Sequence, residues 1–327
     1  MTKRKKPLVV VDADTLVYRA AAVSEERSVL VKHIPSKREK IYKNKTEFKN
    51  AMKEKNFVIN SEDFIFEDIQ EEQPISNCLH TIKLQAQNII DRFPNSEVIF
   101  CCGEKDNFRL DLPLPERYKS NRSDSIRPVH LSEGKDYLVK KFKAKSAVGF
   151  EVDDLSIILA YEGKNKGLDV VLAACDKDAK QAVGLKLFDY TNPDKEIVEI
   201  KNWHEIVLND KKEFKSYGVP FFCFQWIRGD LSDHVIPYKL AGVKFGDAGA
   251  YKLFKDCKTA KECLNKVVEQ YRQWYPEPVT YTAWNGKEYT KDYKELLQLF
   301  FSAVYMLRSH NDKTTAEDFL DMYGVKL

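Results

Sequence analysis

Short, continuous apolar runs alternate along this chain with longer stretches of helical period. Leu8-Val-Val-Val11 is a β-branched run closed by Asp12, and Thr15 to Val23 follows it with a helical pattern. A run of this kind, with no polar alternation, suits a parallel strand covered on both faces. Between Cys78 and Phe93, the residues Leu79, Ile82, Ile89, Ile90 and Phe93 share one helical face, and Pro94-Asn95-Ser96 breaks it before a second strand at 97–101. Residues 151–161 read as a helix whose acidic first turn complements the helix dipole. A third strand is expected at 169–173, with further short ones at 185–190 and 197–200. Beyond Trp203 the pattern is mainly helical around the aromatic cluster Phe221 to Trp226. Strands alternating with helices predict an α/β fold, a central mostly parallel sheet with helices on both faces. The segment 24–76 interrupts this alternation as an insertion. Its lysine-rich part, 35–55, reads equally as a helix or as a mobile stretch.

Composition adds bounds. The 327 residues, 43% hydrophobic and 12% aromatic, supply a packed core and exclude wholesale disorder. The length favours two parts, an α/β core over 1–200 and a mainly helical region over 201–327. No apolar run approaches the roughly 18–20 residues of a membrane helix, and Leu8 to Val11 is too short for a secretory signal. Seven cysteines without metal-type spacing, two of them adjacent at Cys101 and Cys102, suit reduced, buried thiols in a cytoplasmic protein.

A net charge of +3 conceals segregation. From Arg27 to Lys55 there are ten Lys/Arg against three Glu, followed by Glu62, Asp63, Glu67, Asp68, Glu71 and Glu72. A second basic zone runs from Arg109 through Arg117, Lys119, Arg122 and Arg127 to Lys145, interleaved with aromatics and asparagine. Carboxylates cluster elsewhere, just beyond the apolar runs. The first strand delivers Asp12 and Asp14, the second leads to Glu104, and the third to Asp176 and Asp178. The helix start at 151 adds Glu151, Asp153 and Asp154, and the GDLSD segment adds Asp230 and Asp233. In an open parallel sheet ligands bind beyond the carboxyl ends of the strands, so these groups converge on one rim. Crowded carboxylates need a compensating cation. An oxygen-only donor set without His or Cys selects Mg²⁺ or Mn²⁺, and two such ions about 4 Å apart suit phosphoryl displacement.

The stretch Phe108-Arg109 through Arg117-Tyr118-Lys119-Ser120-Asn121-Arg122, together with VDADTLVYRA, GFEVDDL, CDKDAKQ and GDLSD in that order, resembles the 5′→3′ exonuclease and flap endonuclease superfamily, the bacteriophage enzymes above all. The resemblance implies a PIN-like core with a helical arch at about 115–145. It also implies a helix–three-turn–helix duplex clamp at about 220–256, whose backbone carbonyls hold K⁺. By motif, Asp12 and Glu151 would bind the first metal, Asp153 would bridge, and Asp176, Asp178 and Asp230 would hold the second, with Asp154 and Asp233 in support. Lys119 matches the lysine on the scissile phosphate, Tyr118 a base-stacking tyrosine, and Arg19, Arg109 and Arg122 backbone-contacting arginines. Gly242, Lys244 and Gly246 fall in the clamp.

The pattern departs from the family in three places. The strand-two aspartate is absent, leaving Cys102 or Glu104 nearby, of which Glu104 suits Mg²⁺ better. His234 replaces an asparagine, and a lysine expected near Ala248 is missing. The expected protein is a monomeric nuclease acting on 5′ ends, flaps and duplexes with a single-stranded 5′ arm. RNA–DNA hybrids are a further candidate substrate, and the setting would be phage-type replication or genome degradation in host cytoplasm, away from membranes. Two rival readings are a haloacid-dehalogenase-type phosphatase with Asp12 as nucleophile, which Leu16 disfavours, and a non-catalytic DNA-binding scaffold.

Overall fold

The computed structural model describes residues 6–104, 106–122 and 125–327. The arch expected at 115–145 includes Ser123 and Asp124, which lie outside them. The chain begins with β1 (Leu8–Asp12), α1 (Asp14–Ala22), β2 (Glu25–His33), β3 (Arg38–Tyr42), α2 (Lys45–Glu54), β4 (Phe64–Glu72), α3 (Ile75–Arg92) and β5 (Glu97–Cys102). It continues through α4 (Leu131–Phe142), β6 (Lys145–Ser146), α5 (Val152–Asn165), β7 (Val170–Ala173), β8 (Lys186–Phe188), β9 (Val198–Glu199), β10 (Val207–Leu208) and β11 (Phe214–Lys215). The last part is α6 (Gly218–Arg228), α7 (Asp247–Phe254), α8 (Ala260–Trp274), β12 (Val279–Thr282), β13 (Glu288–Lys291), α9 (Tyr293–Val304) and α10 (Ala316–Asp321).

Two compact units result. The first comprises residues 1–14, 89–125 and 142–327, and the second 15–88 and 126–141. In the first unit a six-stranded sheet runs in the order β6-β5-β1-β7-β8-β9, parallel except for the antiparallel β8–β9 pair. The sheet is thus the mostly parallel one expected. All five residues of β1 are buried, as the unbroken apolar run requires. Helix α5 covers one face, where Val152, Leu155, Leu159 and Ala160 join Leu8, Val10, Val170 and Leu172 in one core. Gly163 allows the close approach: a Cβ there would sit 2.5 Å from Leu8 Cδ2. A second core of the same unit gathers Phe221, Phe222 and Trp226 of α6 with Tyr271 of α8, Phe300 and Phe301 of α9, and Phe319 of α10. The C-terminal part is mainly helical, with two small hairpins, β10–β11 and β12–β13.

In the second unit the lysine-rich part 35–55 is helical over α2, as one of its two readings had it, while Arg38–Tyr42 is a strand that neither reading expected. Strands β3-β2-β4 form an antiparallel sheet, and α2 packs Phe48, Ala51 and Met52 on Val29, Val31, Tyr42, Phe64 and Phe66. Charged residues break up the alternation in β2 and β4, so a pairing that joins residues far apart in sequence leaves a weak local signal. Helix α4 belongs to this unit except for Phe142, whereas 115–122 belong to the first.

Candidate metal centre and phosphate-binding residues

The first unit brings most of the expected carboxylates together. Parallel β1 and β7 end side by side, and Asp12 is buried at the end of β1. Its Oδ1 accepts from the Asp14 amide at 3.1 Å. Asp14 opens α1 and accepts from the Gly103 amide at 2.9 Å, beyond the end of β5. Asp14 therefore faces the strand-two end that lacks its aspartate. Glu104 is exposed. Cys102 is buried.

At the start of α5, Glu151 caps the helix and Asp154 receives the Glu151 amide at 3.1 Å. Asp176 follows β7, is exposed, and accepts from the Asp178 amide at 2.9 Å. The GDLSD turn follows α6. Gly229 has φ 75°, and a Cβ there would meet the Val235 carbonyl at 2.1 Å, so only glycine fits where the chain closes on itself. That turn carries Asp230, which accepts from the Ser232 amide at 2.9 Å, and Asp233. Carboxylate oxygens of Asp178, Asp230 and Asp233, all buried, lie within 4.8 Å of one another.

Four cations face this rim. Lys119 Nζ pairs with Glu151 and lies 3.8 Å from Asp233. Lys119 has φ 58°, and its amide donates to the Asp233 carbonyl at 2.8 Å. Arg122 reaches Asp233 Oδ1 at 2.5 Å, and Lys177 reaches Asp230 Oδ2 at 2.6 Å. The fourth, Arg109, departs from expectation. It is wholly buried and donates two hydrogen bonds, of 2.6 and 3.0 Å, to the equally buried Asp154, and a third of 2.6 Å to the Tyr305 carbonyl. A guanidinium sealed in this way does not meet a DNA backbone, and Asp154, already saturated by Arg109 and by the Leu307 amide at 2.9 Å, is a partner of Arg109 rather than a metal ligand.

Tyr118 is a second correction. Its ring is buried, so it offers no face to a base. Its hydroxyl lies 2.7 Å from Asp233 Oδ2 and 2.9 Å from Glu151 Oε2, one proton shared between two carboxylates. Two buried glutamines extend the site unforeseen. Gln225 donates to Asp178 Oδ1 at 2.5 Å, and Gln181 donates to Gln225 at 2.7 Å and to the Val304 carbonyl at 2.8 Å. The spacing of CDKDAKQ places Gln181 on the turn with Asp178, but nothing in the sequence pairs it with Gln225.

The electrostatics follow from burial and crowding. Burial, reinforced by Asp14, pushes Asp12 up to about 7. Burial and then the charges of Asp12, Asp176 and Asp178 hold Asp153 well above the carboxylate range. Burial together with Asp176 and Asp230 does the same to Asp178. Burial works on Glu151 as well, but Lys119 and Arg109 outweigh it and hold that carboxyl low. At Asp230 the opposing cation is Lys177, again winning over burial.

The remaining expected residues belong to other elements. Arg19 is exposed in the last turn of α1, in the second unit. Gly242, Lys244 and Gly246 are exposed on the loop between α6 and α7, and Gly246 caps α7. His234 adopts φ 61° and lies 2.6 Å from Ser120 Oγ through Nδ1, a structural role. The hairpin β12–β13 holds the approach to Tyr118: Trp284 Nε1 donates to the Leu112 carbonyl at 2.9 Å, Tyr281 to that of Pro113 at 2.7 Å, and the Trp284 amide to that of Leu114 at 3.1 Å.

No family model matches the chain. A curated 5′-3′ exonuclease of Buchnera aphidicola subsp. Schizaphis graminum (strain Sg) is 27% identical over 205 residues, covering 60% of this chain and 66% of that protein. The match thus spans just under two thirds of the relative. Among solved structures, the T5 D15 protein co-crystallised with metal ions is 16% identical with a TM-score of 0.47, over 92% of this chain and 88% of that one. The bacteriophage T5 flap endonuclease in a pseudo-enzyme–product complex with DNA and metal ions is 18% identical with a TM-score of 0.43, over 92% and 88%. The curated relative supports the 5′ nuclease family that the motif order indicated.

Proposed function

We propose that this 5′ nuclease-like chain is a divalent-metal-dependent 5′→3′ exonuclease or structure-specific flap endonuclease. It hydrolyses DNA phosphodiesters at or near 5′ ends and releases 5′-phosphorylated products. The observation that carries the reading is the packing of Asp178, Asp230 and Asp233 oxygens within 4.8 Å of one another, on the rim where Lys119 is held. The donors are oxygen only, which suits Mg²⁺, with Mn²⁺ as a substitute. Asp12, Asp153 and Asp178 are held high by burial first and by neighbouring carboxylates second, and added cations would counter both.

In this proposal Asp12, Glu151 and Asp153 would hold one ion, and Asp153, Asp176, Asp178 and Asp230 would hold the second, with Asp233 in support. When bound, such ions lower the pKa of a water and offset charge on the leaving oxygen. The rest falls to the chain. Lys119 presents its ammonium to a scissile phosphate from a backbone fixed by the Asp233 carbonyl, a preorganised charge that gains strength as the transition state develops. Arg122, half exposed, takes a neighbouring phosphate. Arg19, Lys244 and the amides around Gly242 and Gly246 hold flanking backbone, with K⁺ at the turn carbonyls. Hybrid cleavage and a phage replication setting extend the same proposal.

The test is a time course with 5′-end-labelled blunt duplex, flap and RNA–DNA substrates in Mg²⁺, with a chelator control. Mononucleotide release from the blunt duplex means exonuclease, and one cut at the junction means flap endonuclease. No cleavage of any substrate in Mg²⁺ or Mn²⁺ overturns the proposal, and a phosphoaspartate on Asp12 would replace it with the phosphatase.

A further inference from the structure

The insertion explained by no motif carries the most segregated charge in the second unit. Helix α2 bears Lys45, Lys49 and Lys53 at i, i+4 and i+8, one row along a flank, while Glu47 and Glu54 fall on another. Neighbours in such a row are about 6 Å apart, and like charges at that spacing weaken an isolated helix. Lys45 also sits in the first turn, where the dipole disfavours a cation. Lys40 pairs with Val31 and Tyr42 with Val29, and both valines pack under α2, so Arg38 and Lys40 share the helix-covered face of the sheet. Lys37, Lys43 and Lys55 flank these groups. All eight are exposed, and among the described residues none has an ion-pair partner. Lys32, one position out of phase on the opposite face, is by contrast paired with Glu39 and Glu67. The acids of this sheet gather on β4, at Glu67, Asp68, Glu71 and Glu72.

We propose that Arg38, Lys40, Lys43 and the row Lys45–Lys49–Lys53 bind the phosphodiester backbone of a nucleic-acid duplex, whatever its sequence. The inference rests on reading the chain as a DNA-cleaving enzyme and supplies that enzyme with a duplex contact outside its carboxylate rim. The row is about 12 Å long at 1.5 Å per residue. A duplex presents roughly one charge per 1.7 Å of axis, so several phosphates fall within reach. Lysine is a point charge on a flexible stem and does not discriminate base edges. A membrane-surface helix would set Leu, Phe or Trp beside its lysines, whereas the exposed positions of α2 are Lys45, Thr46, Glu47, Lys49, Asn50, Lys53 and Glu54.

The test uses the full chain and its triple variants Lys45→Gln/Lys49→Gln/Lys53→Gln and Lys45→Glu/Lys49→Glu/Lys53→Glu. Binding to a fluorescent duplex with a 5′ single-stranded arm is measured in chelator across a salt series, alongside melting temperature, single-turnover cleavage at saturating protein, and binding to anionic phosphatidylglycerol vesicles. The glutamine variant should bind about 10-fold more weakly or worse. Its slope of log affinity against log salt should be shallower by about 2.7, three contacts at roughly 0.9 each. Its melting temperature should not fall and its saturated cleavage rate should stay at the wild-type value, and the glutamate variant should lose more affinity. An unchanged slope in a folded variant overturns the assignment, as does loss of vesicle binding with duplex binding intact. A wild type that binds duplex through this row without cutting any substrate upholds the face and overturns the nuclease reading. Cleavage with no change in slope does the reverse.

Discussion

Arg109 and Asp154 are joined by two parallel hydrogen bonds, of 2.6 and 3.0 Å, with neither side chain exposed to solvent. A buried ion pair is a weak source of net stability, but removing one partner strands the other as an uncompensated charge. Arg109→Met should therefore cost about 3–5 kcal/mol in urea unfolding. Arg109→Met with Asp154→Leu should cost much less than the two single changes together. DNA affinity per folded molecule should not change, and a specific loss of affinity would restore Arg109 to the DNA-contacting role.

The Tyr118 hydroxyl between Glu151 and Asp233 separates two roles for that residue. Tyr118→Phe keeps the ring and removes only the hydroxyl. If the hydroxyl orients carboxylates, cleavage should fall by roughly 10-fold, in line with one charge-assisted hydrogen bond of about 1.5 kcal/mol. If the ring stacks on a base, the variant should match wild type in steady-state kinetics.

Lys119 and Asp178 should differ in what they cost. Lys119→Ala should lower kcat by at least about 100-fold with a much smaller change in DNA affinity, because its charge is preorganised for the transition state. Asp178→Asn should abolish cleavage, leave DNA binding intact, and weaken Mn²⁺ binding measured by calorimetry without DNA. Equal losses of rate and affinity at Lys119 would reduce it to a simple phosphate anchor.

The raised carboxylates set a pH dependence for the metal-free protein. Asp12 titrates near 3.8 when unfolded and at about 7 when folded, so between those values the native state binds more protons. Stability then falls as pH rises through that window, by an amount on the order of a few kcal/mol once Asp153 and Asp178 act in the same direction. Thermal melts in chelator should show a lower melting temperature at pH 8 than at pH 5.5. Added Mg²⁺ should raise it more at pH 8, where protons no longer compete. The opposite order would show that the rim is not crowded with charge.

The parts of this molecule written in the sequence are those where local pattern and chemistry agree. The unbroken, β-branched Leu8 to Val11 run reads as a buried strand, and the carboxylates at its end and after Ala173 then fall beyond a parallel sheet. Arg109 and Tyr118 misled because a charge or hydroxyl inside a basic motif reads as surface until the residues that bury it, Asp154, Tyr305 and Asp233, are brought in from far along the chain. Asp14 was visible in the first motif, but its bond to Gly103 depends on where β5 ends. The insertion's sheet stayed illegible, although its helix was one of the two readings, because it pairs Glu25 with Glu72 and Val29 with Tyr42, which no local period reveals.

Strand β1 precedes both of its neighbours in the chain and lies between them in the sheet. Leu8 lies beside Glu97 on one side and beside Val170 on the other, so during synthesis β1 has no neighbour until β5 has emerged and is not enclosed until β7 follows. Pairings so distant in sequence close slowly, and an unpaired Val-rich strand is a template for aggregation while it waits. Folding therefore depends on what shields Leu8 to Asp12 until those partners arrive. Lowering the rate of translation between residues 12 and 170 should reduce the yield of soluble protein even though the finished sequence is unchanged.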